Sequence, residues 1–465
     1  MKKAVISLAI ILAACSANAE TKNIKVTIEG RIDFQAGRVH EKRKGEIANA
    51  NGYSIASSNL INYDVLTPKM NNWGFVNDTN FDIKADVKHS PDLTYGAFLR
   101  LHGDTSIATN REMYLGDKAM IYIQHEKVGR LEMGNIPGAG GLFEMDTVNL
   151  GRGTYGIEGF WSQWVVDKSI RTSNIFNASQ INFQGASIEQ LIAANGMDGE
   201  KATRSFEFIV SPNLLSNYSG QYYSDAPKIN FFTKPMTGLT LGVAFIPDLD
   251  SAGTVSNRAP KNDGPQDDRK GNPATYRNII SGGFMYETKL NNDLGIKTGI
   301  AGEYGIAKLP YVTKLRAYEM GLTLSYKDIK VGGTYGSWFD SLSLKTKTEG
   351  ARHGSRYYTV TASHQIEKFG YSLGLMDSKK AGGIEILGLQ VLNGPLAEAI
   401  AYTDLTPQSF GDPKMNRFRN ISFDIDYKLA PGFLPYLGVS WFNFKESYGA
   451  SDRGYVALIG TRVTF

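Results

Sequence analysis

Apolar and polar residues alternate one by one along many segments of this chain, and this period of two is the feature that most constrains its fold. Near one end Ile24, Val26 and Ile28 alternate with charged or hydroxyl residues, and near the other end residues 421–428 repeat the pattern. A helix would spread the charges around its circumference, whereas a strand places them on one face. The chain is therefore predicted to be all-β, with strands that each have one apolar and one polar face.

The apolar residues are too dispersed for membrane-spanning helices. Beyond residue 19 no apolar run approaches the roughly 18 to 20 residues that such a helix requires. The mean hydropathy of −0.26 is that of a soluble protein, but a barrel wall gives a similar average because it turns one face to lipid and the other to water. In lipid, backbone N–H and C=O groups must be hydrogen-bonded within the protein, and a sheet pairs the groups at its edges only when it closes into a barrel. We therefore expect a transmembrane antiparallel β-barrel; the alternative is a secreted β-sandwich or β-solenoid.

The first residues have the layout of a secretory signal peptide. Lys2 and Lys3 precede an apolar run at 4–14 and the small-residue site at 17–19. Cleavage after residue 19 would leave 20–465 as a single barrel domain without cysteine. Residues 12–15 also resemble a lipobox, which would instead place a lipid on Cys15.

Short and long connections alternate between the predicted strands. The tight turns are Ser90-Pro91-Asp92, 126–129, 234–238, 291–293, Lys327-Asp328, 367–369 and 429–435. The longer connections are 37–79, 104–117, 136–227, 247–277, 305–315, 338–354, 378–416 and 446–453. These turns, with a first strand at about 23–36 and a last at about 454–465, predict sixteen strands. An extra hairpin formed by 171–176 and 205–210 would make eighteen. Short turns are expected to face the periplasm and long loops the exterior.

The last strand carries a second, more specific signal. Alternate residues from Tyr455 to Val463 and Phe465 form one face, and the chain ends on an aromatic residue. This strand resembles the closing strand of Gram-negative porins. Three further segments resemble alphaproteobacterial porins: VTIEGRIDF at 26–34 the opening strand, KVGRLEMGN at 127–135 the approach to the loop inside the barrel, and 226–248 the hairpin after that loop. The resemblance implies a general-diffusion porin of the outer membrane and a homotrimer. It also implies that Phe465 and Val463 serve as a signal for the barrel assembly machinery.

A barrel of sixteen to eighteen strands is too wide for its own side chains to fill, so it encloses water. Four basic residues occupy the alternate strand positions that are predicted to face the lumen: Arg31, Lys84, Arg100 and Arg130. The resemblance implies that the long connection 136–227 folds into the lumen and places carboxylates opposite a basic wall. Its candidates are Glu144, Asp146, Glu158 and Asp167. Opposed charges would favour small hydrophilic solutes and ions over apolar ones.

Other functions find less support. The six His are scattered, and no HExxH, nucleophile elbow or phosphate-binding loop is present, so we expect no enzyme activity, no metal and no cofactor. Without Lys2 and Lys3 the 50 basic residues become 48 against 46 acidic ones, a balance that does not suggest nucleic acid. Two alternatives stay open: a substrate-specific channel, and a surface adhesin or receptor that acts through the long loops 37–79 and 378–416. Outer-membrane lipid and lipopolysaccharide are the expected surroundings.

Overall fold

The computed structural model of the chain describes residues 24–44, 72–104, 118–145, 150–165, 182–183, 186–187, 214, 226–249, 276–291, 293–307, 313–341, 354–381, 415–445 and 451–465. The predicted signal peptide and the segments 171–176 and 205–210 lie outside these residues.

Sixteen long antiparallel strands close into one barrel. They are β1 (Ile24–Lys44), β2 (Trp73–Ser90), β3 (Leu93–Asp104), β4 (Lys118–His125), β5 (Gly129–Asn135), β8 (Pro227–Thr233), β9 (Leu239–Asp248), β10 (Tyr276–Lys289), β11 (Leu294–Ala307), β12 (Leu315–Tyr326), β13 (Ile329–Ser337), β14 (Ser355–Ile366), β15 (Phe369–Ala381), β16 (Met415–Tyr427), β17 (Phe433–Lys445) and β18 (Ser451–Thr464). Two short strands, β6 (Asn182–Phe183) and β7 (Ala186–Ser187), pair only with each other.

Barrel strands that follow one another in the chain are paired, and β1 pairs with β18, so the wall has no free edge. β5 pairs directly with β8, so the connection 136–227 contributes no strand to the wall. The predicted closed barrel of sixteen strands is confirmed, and the eighteen-strand alternative is wrong.

The strand register gives the wall an apolar outer face and a polar inner face. On β1 and β2, Ile28 lies opposite Ile83, while Asp33 on the other face lies opposite Asp78. Ile28 is exposed on the outside of the barrel, whereas both aspartates are buried inside it. An apolar outer surface is what lipid requires of a spanning wall. Within the described residues, no helix has both the length and the apolar character needed to cross a membrane.

The tight turns fall where they were predicted, and they lie together at one end of the barrel, which we call the turn end. The long connections lie at the other end, the loop end. Three strand boundaries differ clearly from the prediction. β1 runs to Lys44 and β2 begins at Trp73, so both strands extend well into the predicted connection 37–79. β17 begins at Phe433 and includes Pro435, which had been assigned to a turn.

Candidate functional site

Part of the connection 136–227 folds back inside the barrel. We call residues 136–145 and 150–165 the inner segment. It contains α1 (Ala139–Phe143), a 3-10 turn (Gly156–Glu158) and α2 (Trp161–Trp164). The Met145 N–H donates to Glu319 of β12 at 2.8 Å, and Trp164 donates to Gln35 of β1 at 3.3 Å. The part of the inner segment from Met145 to Trp164 therefore follows the wall from β12 round to β1.

Glycines of the inner wall make room for this segment. Six of them, which we call the wall glycines, carry no side chain where the segment touches the barrel: Gly242, Gly299, Gly321, Gly332, Gly374 and Gly438. A Cβ at any of these positions would come within 3.0 Å of an atom of Phe143, Met145, Leu150, Thr154 or Ile157. By contrast, a Cβ on Gly302 would have no neighbour closer than 3.5 Å. The close approach of the segment therefore depends on the absence of side chains beneath it.

Two buried carboxylates of β16 anchor the middle of the segment. Asp426 accepts from the Arg152 guanidinium at 2.8 Å and from the Gly153 N–H at 3.2 Å. Asp424 accepts from the Thr154 hydroxyl. The Arg152 N–H donates to the hydroxyl of Ser372 at 2.8 Å. These bonds satisfy polar groups that would otherwise be buried without partners, which holds the backbone at 152–154 against the wall.

A second anchor joins the segment to the place where β18 meets β1. The Arg462 guanidinium donates to Asp33 at 2.7 Å and to the Gly153 carbonyl at 2.8 Å. It also lies over the ring of Tyr155, 4.1 Å from the ring centre. The Tyr436 hydroxyl is a further donor to Asp33. Asp33 is fully buried and is thus neutralised and hydrogen-bonded on both oxygens.

An aromatic stack holds the last described part of the segment. The Trp161 ring lies between Phe418 of β16 and Phe442 of β17, with ring centres 6.0 and 5.9 Å away and nearly parallel planes. Only 3 % of Trp161 is exposed, and its indole N–H donates to the Ile157 carbonyl at 2.8 Å. Because the ring is buried and its N–H group is hydrogen-bonded, its apolar contacts stabilise the docked position of the inner segment.

The four basic residues predicted to line the pore lie on the inner face of β1, β2, β3 and β5. Their side chains remain 27 % (Arg31), 43 % (Lys84), 29 % (Arg100) and 28 % (Arg130) exposed. Each forms an ion pair with a carboxylate of the wall itself. The pairs are Arg31–Asp78 at 2.5 Å, Lys84–Asp86 at 3.0 Å, Arg100–Asp82 at 2.7 Å and Arg130–Glu132 at 2.7 Å. We call this set the wall ladder; its basic and acidic residues are equal in number.

Arg31 differs from the other three because it also reaches the inner segment. Its guanidinium donates to the Tyr155 hydroxyl at 3.0 Å as well as to Asp78. Asp78 in turn lies 3.5 Å from His102 of β3. Within the part of the chain that the structure describes, Arg31 is thus the basic residue through which the wall ladder contacts the inner segment.

The structure places the predicted acids differently. Glu144 is buried, and it accepts a hydrogen bond from the Leu214 N–H, so the expectation that it faces the water of the pore is wrong. Glu158 lies in the 3-10 turn, where only its backbone is described. Asp146 and Asp167 lie outside the described residues. The carboxylates paired with the basic residues come instead from the wall, and sequence reasoning missed them. For Arg31 and Arg100 the partner is on a neighbouring strand, and in the other two pairs it is on the same strand. Asp78, Asp82 and Asp86 recur every fourth residue on the lumen phase of β2, a signal that would have found them.

The two residues of the predicted assembly signal lie at the end of β18. Val463 lies opposite Ile32 of β1, and the backbone of Phe465 exchanges hydrogen bonds of 2.8 and 3.0 Å with Gly30. The Phe465 ring covers Gly30 on the outer face and lies 6.4 Å from the Phe81 ring. Their recognition by assembly machinery stays a prediction.

Comparison with known proteins identifies a family for this chain. The sequence model of a family described as Gram-negative porin matches residues 4–447. An uncharacterized protein of Rickettsia conorii is 24 % identical over 515 residues, with all of both chains covered. An uncharacterized protein of Rickettsia bellii is 26 % identical over 288 residues, which are 52 % of this chain and 57 % of that one.

Comparison with solved structures finds a mutant of the Rh. blastica porin, with a TM-score of 0.47 and 12 % identity over 95 % of this chain and all of that one. A triple mutant of the Rhodopseudomonas blastica porin gives a TM-score of 0.48 at 13 % identity with the same coverage. Because the family's sequence model extends over nearly the whole chain, this protein belongs to the Gram-negative porin family.

Proposed function

We propose that the protein is a channel of the outer membrane through which small hydrophilic solutes and ions diffuse passively. The observation that carries the proposal is the partly exposed wall ladder on the inner face of a closed barrel whose outer face is apolar. Charged side chains that remain in contact with water inside a wide barrel are the expected lining of an aqueous path.

The wall ladder also suggests how the channel treats ions. Each cation lies within 3.0 Å of a wall carboxylate, so the field of each pair largely cancels a few ångströms away. A lining of this kind favours hydrated and dipolar solutes while discriminating weakly between cations and anions. We propose Arg31, Lys84, Arg100 and Arg130, each with its acidic partner, as the residues that line the narrow part of the path.

Several further elements belong to the same proposal. Residues 1–19 would direct export, residues 20–465 would form the barrel, and the loop end would face the exterior. Three such barrels would assemble into a trimer after insertion by the barrel assembly machinery through Phe465 and Val463. Asp146, Glu158 and Asp167 are proposed to approach the wall ladder from the connection 136–227.

The first experiment is single-channel recording of the purified, refolded protein in planar bilayers of phosphatidylcholine. Stepwise ohmic openings with a small reversal potential in a KCl gradient are expected for a weakly selective diffusion channel. Saturable block by one class of sugar or anion would instead support a substrate-specific channel. Correctly folded protein that gives no steps would refute the diffusion proposal and favour a role in surface binding.

A further inference from the structure

A cavity of about 570 Å³ lies at the turn end of the barrel, and we call it the turn-end cavity. It is lined by Lys368 in the turn between β14 and β15, by residues 428–434 between β16 and β17, and by Arg462 and Thr464 of β18. Arg462 faces the lumen, since its guanidinium contacts Asp33 and the inner segment. Thr464 follows Arg462 by two residues and therefore shares its face. The cavity thus lies on the lumen side of the wall, between the inner segment and the turn end.

Backbone hydrogen bonds fix the shape of the turn-end cavity. The Lys428 N–H donates to the Lys368 carbonyl at 2.8 Å, which joins two neighbouring turns. The Thr464 N–H donates to the Gly432 carbonyl at 2.8 Å, which joins the second turn to β18. Gly432 has a φ of 73°, and a Cβ there would lie 2.2 Å from the Thr464 carbonyl oxygen. Because its walls are joined in this way, the cavity is formed before a ligand arrives, and binding carries a small ordering cost.

The turn-end cavity is positively charged. Its lining includes Lys368, Lys428 and Arg462, and none of the ten lining residues, all of which the structure describes, is acidic. The Arg462 charge is neutralised by Asp33. Neither lysine forms an ion pair within the described parts of the chain, and the Lys368 ammonium lies over the Tyr427 ring, 6.0 Å from its centre. Two ammonium groups are therefore available to an anion in the cavity.

The rest of the lining is mainly apolar. Leu429 and Pro431 lie in the turn between β16 and β17, and 50 % of Leu429 is exposed. Leu434 lies opposite Arg462 and therefore faces the lumen. Apolar groups in contact with water lose free energy when another apolar group covers them. A pair of ammonium groups beside an apolar wall matches a ligand with a carboxylate at one end and an apolar body at the other.

The size of the turn-end cavity suits a small organic molecule, since pockets for such ligands commonly span about 300–1,000 Å³. We propose that it binds small amphiphilic carboxylates, such as aryl- or alkylcarboxylic acids, that enter from the turn end. An inorganic anion would leave the apolar wall uncovered, and a neutral aromatic compound would leave both lysines without a counter-ion. A bound acid would occupy part of the lumen and reduce the current. This expected block rests on the proposed channel function, whereas the binding itself does not.

The test uses three probes. 4-Phenylbutyrate has the proposed chemistry, 4-phenylbutyramide is its uncharged counterpart, and acetate supplies the carboxylate without the apolar body. Binding of each probe to the refolded full-length protein in a non-ionic detergent is measured by isothermal titration calorimetry, and titration of empty micelles corrects for uptake by the detergent. Block of the current is measured on single channels in phosphatidylcholine bilayers, with the probe added to one side and then to the other.

The charge of the cavity is tested by the double variant Lys368→Gln with Lys428→Gln. Lys234→Gln with Lys327→Gln removes two charges from other turns at the same end and is the matched control. 4-Phenylbutyrate should bind about tenfold more weakly to the cavity variant, because each exposed ion pair contributes up to about fivefold. The control should bind it as wild type does. Equal loss in both variants, or equal binding of 4-phenylbutyrate and its amide by wild type, would overturn the proposal.

The apolar wall is tested by Leu429→Ser. Leu290→Ser is the matched control, since Leu290 is a similarly exposed leucine that follows β10 at the turn end. Leu429→Ser should weaken the binding of 4-phenylbutyrate about threefold, because less apolar surface is covered by the ligand, and Leu290→Ser should leave it unchanged. Acetate that displaces 4-phenylbutyrate at equal concentration would show a site for any small anion, and the proposed ligand class would be wrong.

The two measurements separate this site from the channel itself. 4-Phenylbutyrate should block wild type at a lower concentration from one side than from the other, and the cavity variant should need about tenfold more for half-maximal block. Calorimetric binding by protein that gives no channel steps would support the site and refute the channel. Channel steps without calorimetric binding would refute the site and leave the channel standing. Binding with no change in current would contradict the position of the ligand in the path.

Discussion

Replacing Trp161 by alanine is the most direct test of how the inner segment is held in place. The ring is almost completely buried between Phe418 and Phe442. A Trp side chain buries 150–250 Å² or so, which at about 25 cal/mol/Å² corresponds to about 4–6 kcal/mol. Measured losses for large aromatic residues in cores are about 3–5 kcal/mol.

A loss of 3 kcal/mol lowers the docking equilibrium of the segment by about a hundredfold, because about 1.4 kcal/mol corresponds to a factor of ten. The barrel wall should survive, since its strand pairing does not involve this residue. We expect Trp161→Ala to give larger and noisier single-channel currents, and to make the bonds around 150–165 accessible to protease added to the refolded protein.

Trp441→Ala is the matched control, since Trp441 is 48 % exposed on the outer face of β17. It should change neither current noise nor cleavage at 150–165. Trp161→Phe keeps a stacked ring and should behave close to wild type. Folded Trp161→Ala protein with normal currents and normal resistance to protease would refute the reasoning, because the stack would then contribute little to docking.

Three further predictions concern the wall. Arg31→Ala leaves Asp78 without the guanidinium that pairs with it, so the reversal potential in a salt gradient should shift toward cation preference. Asp78→Asn should shift the reversal potential toward anion preference. An unchanged reversal potential in both variants would exclude the pair from the narrow part of the path. Arg462→Met leaves the buried carboxylate of Asp33 without its cationic partner and should lower the unfolding free energy by about 3–5 kcal/mol, seen as a lower temperature for loss of the compact form on gels. The double variant Asp33→Asn with Arg462→Met should recover part of this loss. Equal stability of wild type and Arg462→Met would contradict the prediction. Gly321→Val pushes a side chain into Met145 and should raise current noise as Trp161→Ala does. Gly302→Val should not, because its Cβ would have no neighbour closer than 3.5 Å. Similar noise in the two valine variants would argue against the wall glycines as a requirement for docking.

The sequence was sufficient for the architecture because hydropathy reports which face of each strand meets lipid. Alternation predicted the strands, and turn residues predicted the ends at which they reverse. The errors occurred where this signal stops. From Arg38 to Lys44, β1 continues past the apolar zone and its outward residues are basic, so hydropathy could not distinguish it from a loop. Pro435 suggested a turn, but the structure includes it in β17 opposite Thr461.

The candidate site was only partly predictable for a different reason. Alternation assigns Arg31 and Asp78 to the inner face, but their contact depends on the register between β1 and β2, which hydropathy does not determine. Burial of Glu144 depends on packing against Leu214, which lies 70 residues away in the chain. Long-range partners of this kind are set by the tertiary structure and leave no periodic trace in the sequence.

The inner segment has a consequence for how the barrel is kept shut. β1 and β18 come from opposite ends of the described chain, so their pairing closes the largest loop in the molecule and carries the largest entropic cost of closure. Tyr155 bonds to Arg31 on one side of this joint, and Gly153 bonds to Arg462 on the other. The segment therefore acts as an internal clamp across the final seam. Separating β1 from β18 requires breaking the contacts that both strands make with the inner segment, and this slows opening of the barrel. The lifetime of the closed barrel therefore depends on the docking of the inner segment.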